Sequence, residues 1–130
     1  MIEPGLEASV VEEVTPKSTA EAIGSGDVPV LGTPALLALI EGAAIAAVAT
    51  SLESGSTTVG ARIKLDHVAP TPVGATVTAT ARLEAVEGRR LTFSFEARDA
   101  AGLIARGTHL RVIVDREGFL DDAATRSEGG

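Results

Sequence analysis

A chain of 130 residues with 45% hydrophobic content suffices for one domain with one core. It has no cysteine, which excludes a disulfide framework, a thiolate metal site and a cysteine nucleophile and fits a cytoplasmic location. A net charge of -7 and an aromatic content of 2%, with neither Trp nor Tyr, argue against nucleic acid as a partner, because both phosphate neutralisation and base stacking are missing.

In chain order, MIEPGLEASVVEEV carries acids and has neither a basic start nor a long apolar run, so neither a signal peptide nor a membrane span is expected. A strand is predicted around Ala8 to Val14. TPKSTAEAIGSGDVPVLG is rich in turn formers and predicts a long loop with some extended structure. TPALLALIEGAAIAAV then reads as a helix, with Thr33 as its N-cap, Pro34 as its first residue, an end near Leu52 and Gly55 as a stop.

Beyond the helix the period falls from 3.6 to 2. In TTVGARIKLDHV, Val59, Ala61, Ile63, Leu65 and His67 share one parity, with Thr58, Gly60, Arg62, Lys64 and Asp66 on the other. From 75 to 86, Ala75, Val77, Ala79, Ala81, Leu83 and Ala85 alternate with polar residues. A turn at Glu87 and Gly88 joins this strand to RLTFSFEAR, where Leu91, Phe93, Phe95 and Ala97 share a side, which makes a hairpin. A last strand from about Leu103 to Val114 has Leu110, Val112 and Val114 in phase, so His109 is expected at the solvent face. The segment DDAATRSEGG, 121–130, is small and polar and reads as a disordered tail after a single domain at 1–120.

Four or five antiparallel strands with one apolar face need a cover, and the helix is the only long element available; an α+β fold with the sheet wrapped around that helix follows. The helix is apolar on more than one side, so a second copy of the chain is the economical way to bury the remainder.

Glu41 sits in the middle of this apolar helix, and a carboxylate taken out of water is costly unless paired. The helix periodicity and the strand periodicity place Glu41 and His67 toward one interior, and titratable groups converging in an apolar space are candidates for catalysis. The plainer alternatives are a carboxylate bonded across an interface and a strand-end histidine satisfied by a carbonyl. Thr33 reads first as a cap, and the free amides of a helix start can also hold a developing oxyanion. At 1.5 Å per residue, Thr33 lies roughly 12 Å from Glu41, so both reach one reacting carbon only through a dimer or a bridging water.

Residues 60–114 hold eight basic groups against five acids, a net of +3, while the rest of the chain sums to -10. A basic middle on an acidic protein suits a small anionic ligand, although strand surfaces are often charged without such a role. No phosphate-loop pattern, no nucleophile elbow and no metal-ligand spacing is present, so neither metal nor cofactor is expected.

GTPALLALIEGAA, TTVGARIKLDHVAPTPVGATV, VEGRRLTFSFEARD and GTHLRVIV together resemble the hotdog-fold thioesterases, specifically the fluoroacetyl-CoA thioesterase branch, over about residues 28–120. The resemblance implies a hotdog fold, a homodimer or dimer of dimers with interfacial sites, and catalysis by Thr33, Glu41 and His67, with Gly60 against the thioester carbonyl. The expected substrate is an acyl-CoA thioester, hydrolysed to free acid and coenzyme A, with Arg89 and Arg90, and also Arg106 or Arg111, as contacts for coenzyme A phosphates. Upstream, EAIGSGDVPVLG lacks the phenylalanines that close over the small acyl group in the fluoroacetate-specific enzyme, which implies a different, larger acyl chain. The rivals are a non-catalytic acyl-CoA or acyl-carrier binding module, against which the intact Thr33, Glu41 and His67 count, and a hydratase, whose Asn-Pro motif is not visible.

Overall fold

The computed structural model describes residues 1–129, and its strands are β1 (Glu7–Glu13), β2 (Ser56–His67), β3 (Thr76–Glu87), β4 (Arg90–Asp99) and β5 (Gly102–Asp115). They form one antiparallel sheet in the order β1-β3-β4-β5-β2. The helices are α1 (Ala20–Ile23), α2 (Thr33–Val48) and α3 (Arg116–Gly129).

Helix α2 lies across the sheet. Leu36, Ile40, Ala43, Ala44 and Val48 are fully buried at spacings that line one side of a helix, against Val77, Ala79, Ala81 and Leu83 of β3 and Leu91, Phe93 and Ala97 of β4. Each leucine or isoleucine so buried contributes about 1.5–3 kcal/mol of transfer free energy. Residues 33–51 are long and apolar enough by composition to cross a membrane, yet Leu36, Ile40 and Val48 of this stretch are fully buried in the core. Its other side remains open, with Ile45 47% exposed and Pro34, Ala38, Ala46 and Ala49 also exposed.

The β3–β4 hairpin follows its alternation from Val77 to Leu83; a bulge between Leu83 and Ala85 then sets Ala85 opposite Thr92, off the expected inner face, and Val86 opposite Leu91, before the turn at Gly88 with φ +62°, a conformation that glycine adopts without strain. The β2–β5 pair has a bulge too, and here it falls among the polar residues. Gly60 pairs with Arg111 and Arg62 with Leu110, so Ala61 is an extra residue in a bulge and the side-chain parity flips there. Thr58 and Gly60 before the bulge, and Ile63, Leu65 and His67 after it, therefore share the inner face. On β5 the inner positions are Ala105, Gly107, His109 and Arg111, opposite Ala97, Phe95, Phe93 and Leu91 of β4. The expectation of a solvent-facing His109 is thus reversed: it is 2% exposed, and Leu110 and Val112 take the outer side.

Two boundaries also differ. Gly32, not Thr33, is the N-cap of α2, and the helix ends at Val48, followed by a 3-10 turn over Ala49–Ser51. The expected disordered tail is helical through Gly129, with the Asp115 carboxylate accepting from the Gly118 amide at 2.9 Å as an N-terminal cap. Gly130, the end of that tail, lies outside the described residues.

Candidate active site

Two clusters of functional groups sit at opposite ends of the inner face of β2. At the first, Thr33 Oγ1 and His67 Nδ1 are 2.8 Å apart. Because Gly32 takes the cap position and α2 has no side-chain cap, the Thr33 hydroxyl is free for the imidazole. The turn after β2 brings the two together. Thr71, fully buried, donates to Asp99 Oδ2 at 2.8 Å, its carbonyl accepts from the Leu31 amide at 2.9 Å, and Val30 bridges to Pro72, so the strand carrying His67 and the chain entering α2 are held side by side. His67 Nε2 is buried without a hydrogen-bond partner. Burial holds this imidazole below its ordinary value of about 6.5, against a weaker opposing effect of the Ala69 backbone, so the neutral ring is favoured. A cleft of about 230 Å³ lies beside it, lined by Val30, Val68, Ala69 and Pro70.

The second cluster is built on Glu41. Its Oε2 accepts from Arg111 Nη1 at 2.9 Å and lies 3.8 Å from His109 Nε2. Arg111 is 4% exposed. Its Nε donates to Thr58 Oγ1 and its Nη2 to the Thr58 carbonyl, each at 2.9 Å. His109 Nδ1 lies 2.9 Å from the Arg62 carbonyl, which can only accept, so this nitrogen carries the proton and Nε2 faces Arg111 Nη1 at 3.2 Å as a lone pair. Burial lowers the His109 pKa first; the Arg62 carbonyl and Glu41 oppose, and the Arg111 charge adds to the lowering. Phe93 packs against the ring with centroids 6.4 Å apart. Gly60 is open for a steric reason: a Cβ there would stand 2.5 Å from Glu41 Oε2. The cleft on this side, about 270 Å³, is lined by Leu37, Glu41, Gly60, Ala61, Arg62, Ile63 and His109.

The expected convergence of Glu41 on His67 within one chain is therefore corrected. Each has a different partner, and at about 3.3 Å per strand residue the seven steps from Gly60 to His67 span roughly 20 Å. The carboxylate is also less buried than its helix suggests, with 37% of its side chain exposed. Arg89 and Arg90 do not form one patch: Arg89 donates to the Ile113 carbonyl at 3.2 Å beside Ser51, Leu52 and Ser56, whereas Arg90 lines an outer groove with Arg62, Thr92 and Thr108. Arg111 is enclosed by its own partners and is no phosphate contact.

Residues 14–117 match the family model described as fluoroacetyl-CoA-specific thioesterase. The chain is 42% identical over 101 residues, 78% of its length and 73% of the relative's, to a fluoroacetyl-CoA thioesterase from Streptantibioticus cattleyicolor. The chain belongs to this family. Its fold is the hotdog fold, and as a member of the thioesterase family it is a thioester hydrolase. A crystal structure of a mutant fluoroacetyl-CoA-specific thioesterase superposes with a TM-score of 0.91 at 32% identity, covering 97% of this chain and 98% of that one. A thioesterase superfamily member from Thermus thermophilus superposes at 0.88 with 30% identity, covering 100% and 98%.

Within this thioesterase, sequence reading missed His109 and the inward role of Arg111 and Thr58. The available signal was the pair of polar residues at i and i+2 on the last strand, which share a face whichever way the strand is turned.

Proposed function

We propose that this thioesterase hydrolyses an acyl-CoA to the free acid and coenzyme A at sites assembled between two copies of the chain. One observation carries the reading: Thr33 and His67 form one half of a site, Glu41 and Gly60 form another, and each half faces its own cleft. β2 is an edge strand of 12 residues beside the open, apolar side of α2, and such an edge is a template for pairing. Antiparallel pairing of two β2 strands centred on Lys64, with Ala61 as the extra residue of the bulge, sets His67 of one copy opposite Gly60 of the other. The halves then complete each other twice per homodimer.

In such a site the Glu41 carboxylate acts on the thioester carbonyl, either directly or by activating water. The Gly60 backbone amide and the uncapped first turn of α2 are the donors available to the oxyanion. Thr33 Oγ1, 2.8 Å from Nδ1, orients the His67 ring, and Nε2 is the nitrogen that passes a proton to the sulfur as the carbon–sulfur bond breaks. On the outer face, Arg62 and Arg90 flank a groove that shares Arg62 and His109 with the Glu41 cleft and suits the phosphates of coenzyme A. The acyl group is larger than fluoroacetyl, because all three phenylalanines are used elsewhere, Phe93 and Phe95 in the core and Phe119 on α3, leaving 20–32 without an aromatic cover. The cytoplasm is the proposed location, on the cysteine-free sequence, with neither nucleic acid nor membrane as partner.

Thiol release from a panel of short, long and aryl acyl-CoA thioesters tests this. Hydrolysis by the wild type that collapses in Glu41→Gln is the expected result. Ligand-dependent thermal stabilisation without any turnover would replace the hydrolase by a binding module.

A further inference from the structure

We infer that Arg111, clamped by Thr58 and capped by the Nε2 of His109, is the residue that positions Glu41 and selects which of its oxygens reacts. The inference rests on the catalytic reading of Glu41 given above. An arginine on a strand is a long, flexible side chain, and holding it in one pose needs more than one partner. Here the pose is over-determined. Thr58 grips the guanidinium twice, through its hydroxyl at Nε and its carbonyl at Nη2, each at 2.9 Å. Only the Nη1 corner is left, and it is shared between Glu41 Oε2 at 2.9 Å and His109 Nε2 at 3.2 Å.

His109 contributes by what it lacks. Its Nδ1 proton is committed to the Arg62 carbonyl, so the nitrogen 3.8 Å from Glu41 Oε2 has no proton to offer, and Arg111 is the carboxylate's donor among the described residues. Gly60 closes the seat, since any Cβ would meet Oε2 at 2.5 Å and both Arg111 Nη1 and His109 Cε1 at 3.4 Å. The carboxylate is thus held by one oxygen from one direction. Oε2 is the anchored atom and Oε1, with no hydrogen-bond partner among the described residues, is the one presented to the carbonyl or the water. A geometry of this kind fixes the attack direction while leaving substrate affinity to other groups, so its loss acts on kcat more than on KM.

Thr58→Val keeps the volume and removes the clamp, and Arg111→Ala removes the positioning group. Steady-state kinetics and thermal melts of both are measured against wild type and Glu41→Gln. For Thr58→Val the expected result is a fall in kcat of about tenfold with KM changed less than about twofold and the melting temperature nearly kept; for Arg111→Ala, a larger fall in kcat, partly restored by added guanidinium. A change confined to KM, an unchanged kcat, or a loss of activity that follows loss of folded protein without guanidinium rescue would overturn the inference. Nitrogen-15 spectra of His109 read the same network without turnover. The protonated Nδ1, bare Nε2 form is expected in the wild type at neutral pH; the opposite tautomer or the imidazolium would overturn the inference even if no acyl-CoA in the panel is hydrolysed, an outcome that would separately remove the hydrolase reading.

Discussion

The β3–β4 hairpin and the β2–β5 pair belong to one sheet under one helix, yet they are built on opposite principles. In the hairpin every inward position from Val77 to Leu83 and from Leu91 to Ala97 is apolar, and each is buried or nearly so. Across β5 and β2 the inward positions hold Thr58, Gly60, His67, His109 and Arg111 beside Ile63, Leu65 and Ala105, and the bulge at Ala61 falls among them. One half of the sheet is specified by hydrophobic burial. The other departs from local pattern because a hydrogen-bonded polar cluster occupies the interior, which is where functional sites are expected to break the rules of folding.

If that division is right, substitutions in the two halves have effects of different kinds. The largest are expected at Glu41→Gln and His67→Gln, where removal of a proton-transferring or carbonyl-attacking group should cost about 10²–10⁴-fold in kcat with little change in the melting temperature. In the hairpin half, Leu83→Ala should do the reverse, lowering unfolding free energy by about 2–5 kcal/mol in denaturant titrations while kcat per folded molecule is kept. Gly60→Ala should displace the carboxylate by its Cβ and reduce kcat about 10²-fold in a protein that still folds, because a misplacement of about 1 Å has that order of effect.

Much of the first half was legible in the sequence. Alternation gave the hairpin and its inward residues as far as Leu83, though not Ala85, which a bulge sets opposite Thr92, and Pro34 marked the start of the buried helix to within one residue. Thr33, Glu41, Gly60 and His67 were also readable as candidates, Glu41 and His67 because a polar group interrupts an apolar pattern, Gly60 only through the family resemblance. What could not be read was the register. A one-residue bulge has no apolar signature, so Gly60 fell on the wrong face, and on β5 the apolar parity of Leu110, Val112 and Val114 pointed outward because the inward positions had been given to His109 and Arg111. The helix over 116–129 had a local signal in Asp115 as a cap, outweighed by the small and polar composition that follows it. That Glu41 and His67 stand apart in one chain is a long-range fact; helical spacing limited Thr33 to Glu41, but nothing local located His67 relative to either.

The smallest expected effect concerns pH and again separates the two halves. Both histidines lie in the β2–β5 half, and burial lowers both pKa values. Below the ordinary value of about 6.5 the unfolded chain therefore binds more protons than the folded one, so stability is present above that pH and declines as pH falls below it. Replacing either histidine by Gln should flatten this part of the stability profile, measured by thermal melts between about pH 5 and 8. For turnover, the neutral His67 is the active form, so the acid limb of kcat should lie below the ordinary imidazole value in the wild type.

The assembly of two half-sites across a pair of chains is tested most directly by mixing two inactive variants. Glu41→Gln and His67→Gln, co-expressed with different tags and purified as the mixed dimer, place both lesions in one site and leave the other intact if the halves come from different copies. About half of the wild-type rate in the mixed dimer is the predicted result; a mixed dimer as inactive as either parent would contradict the account, because it would mean that Glu41 and His67 of the same chain must act together.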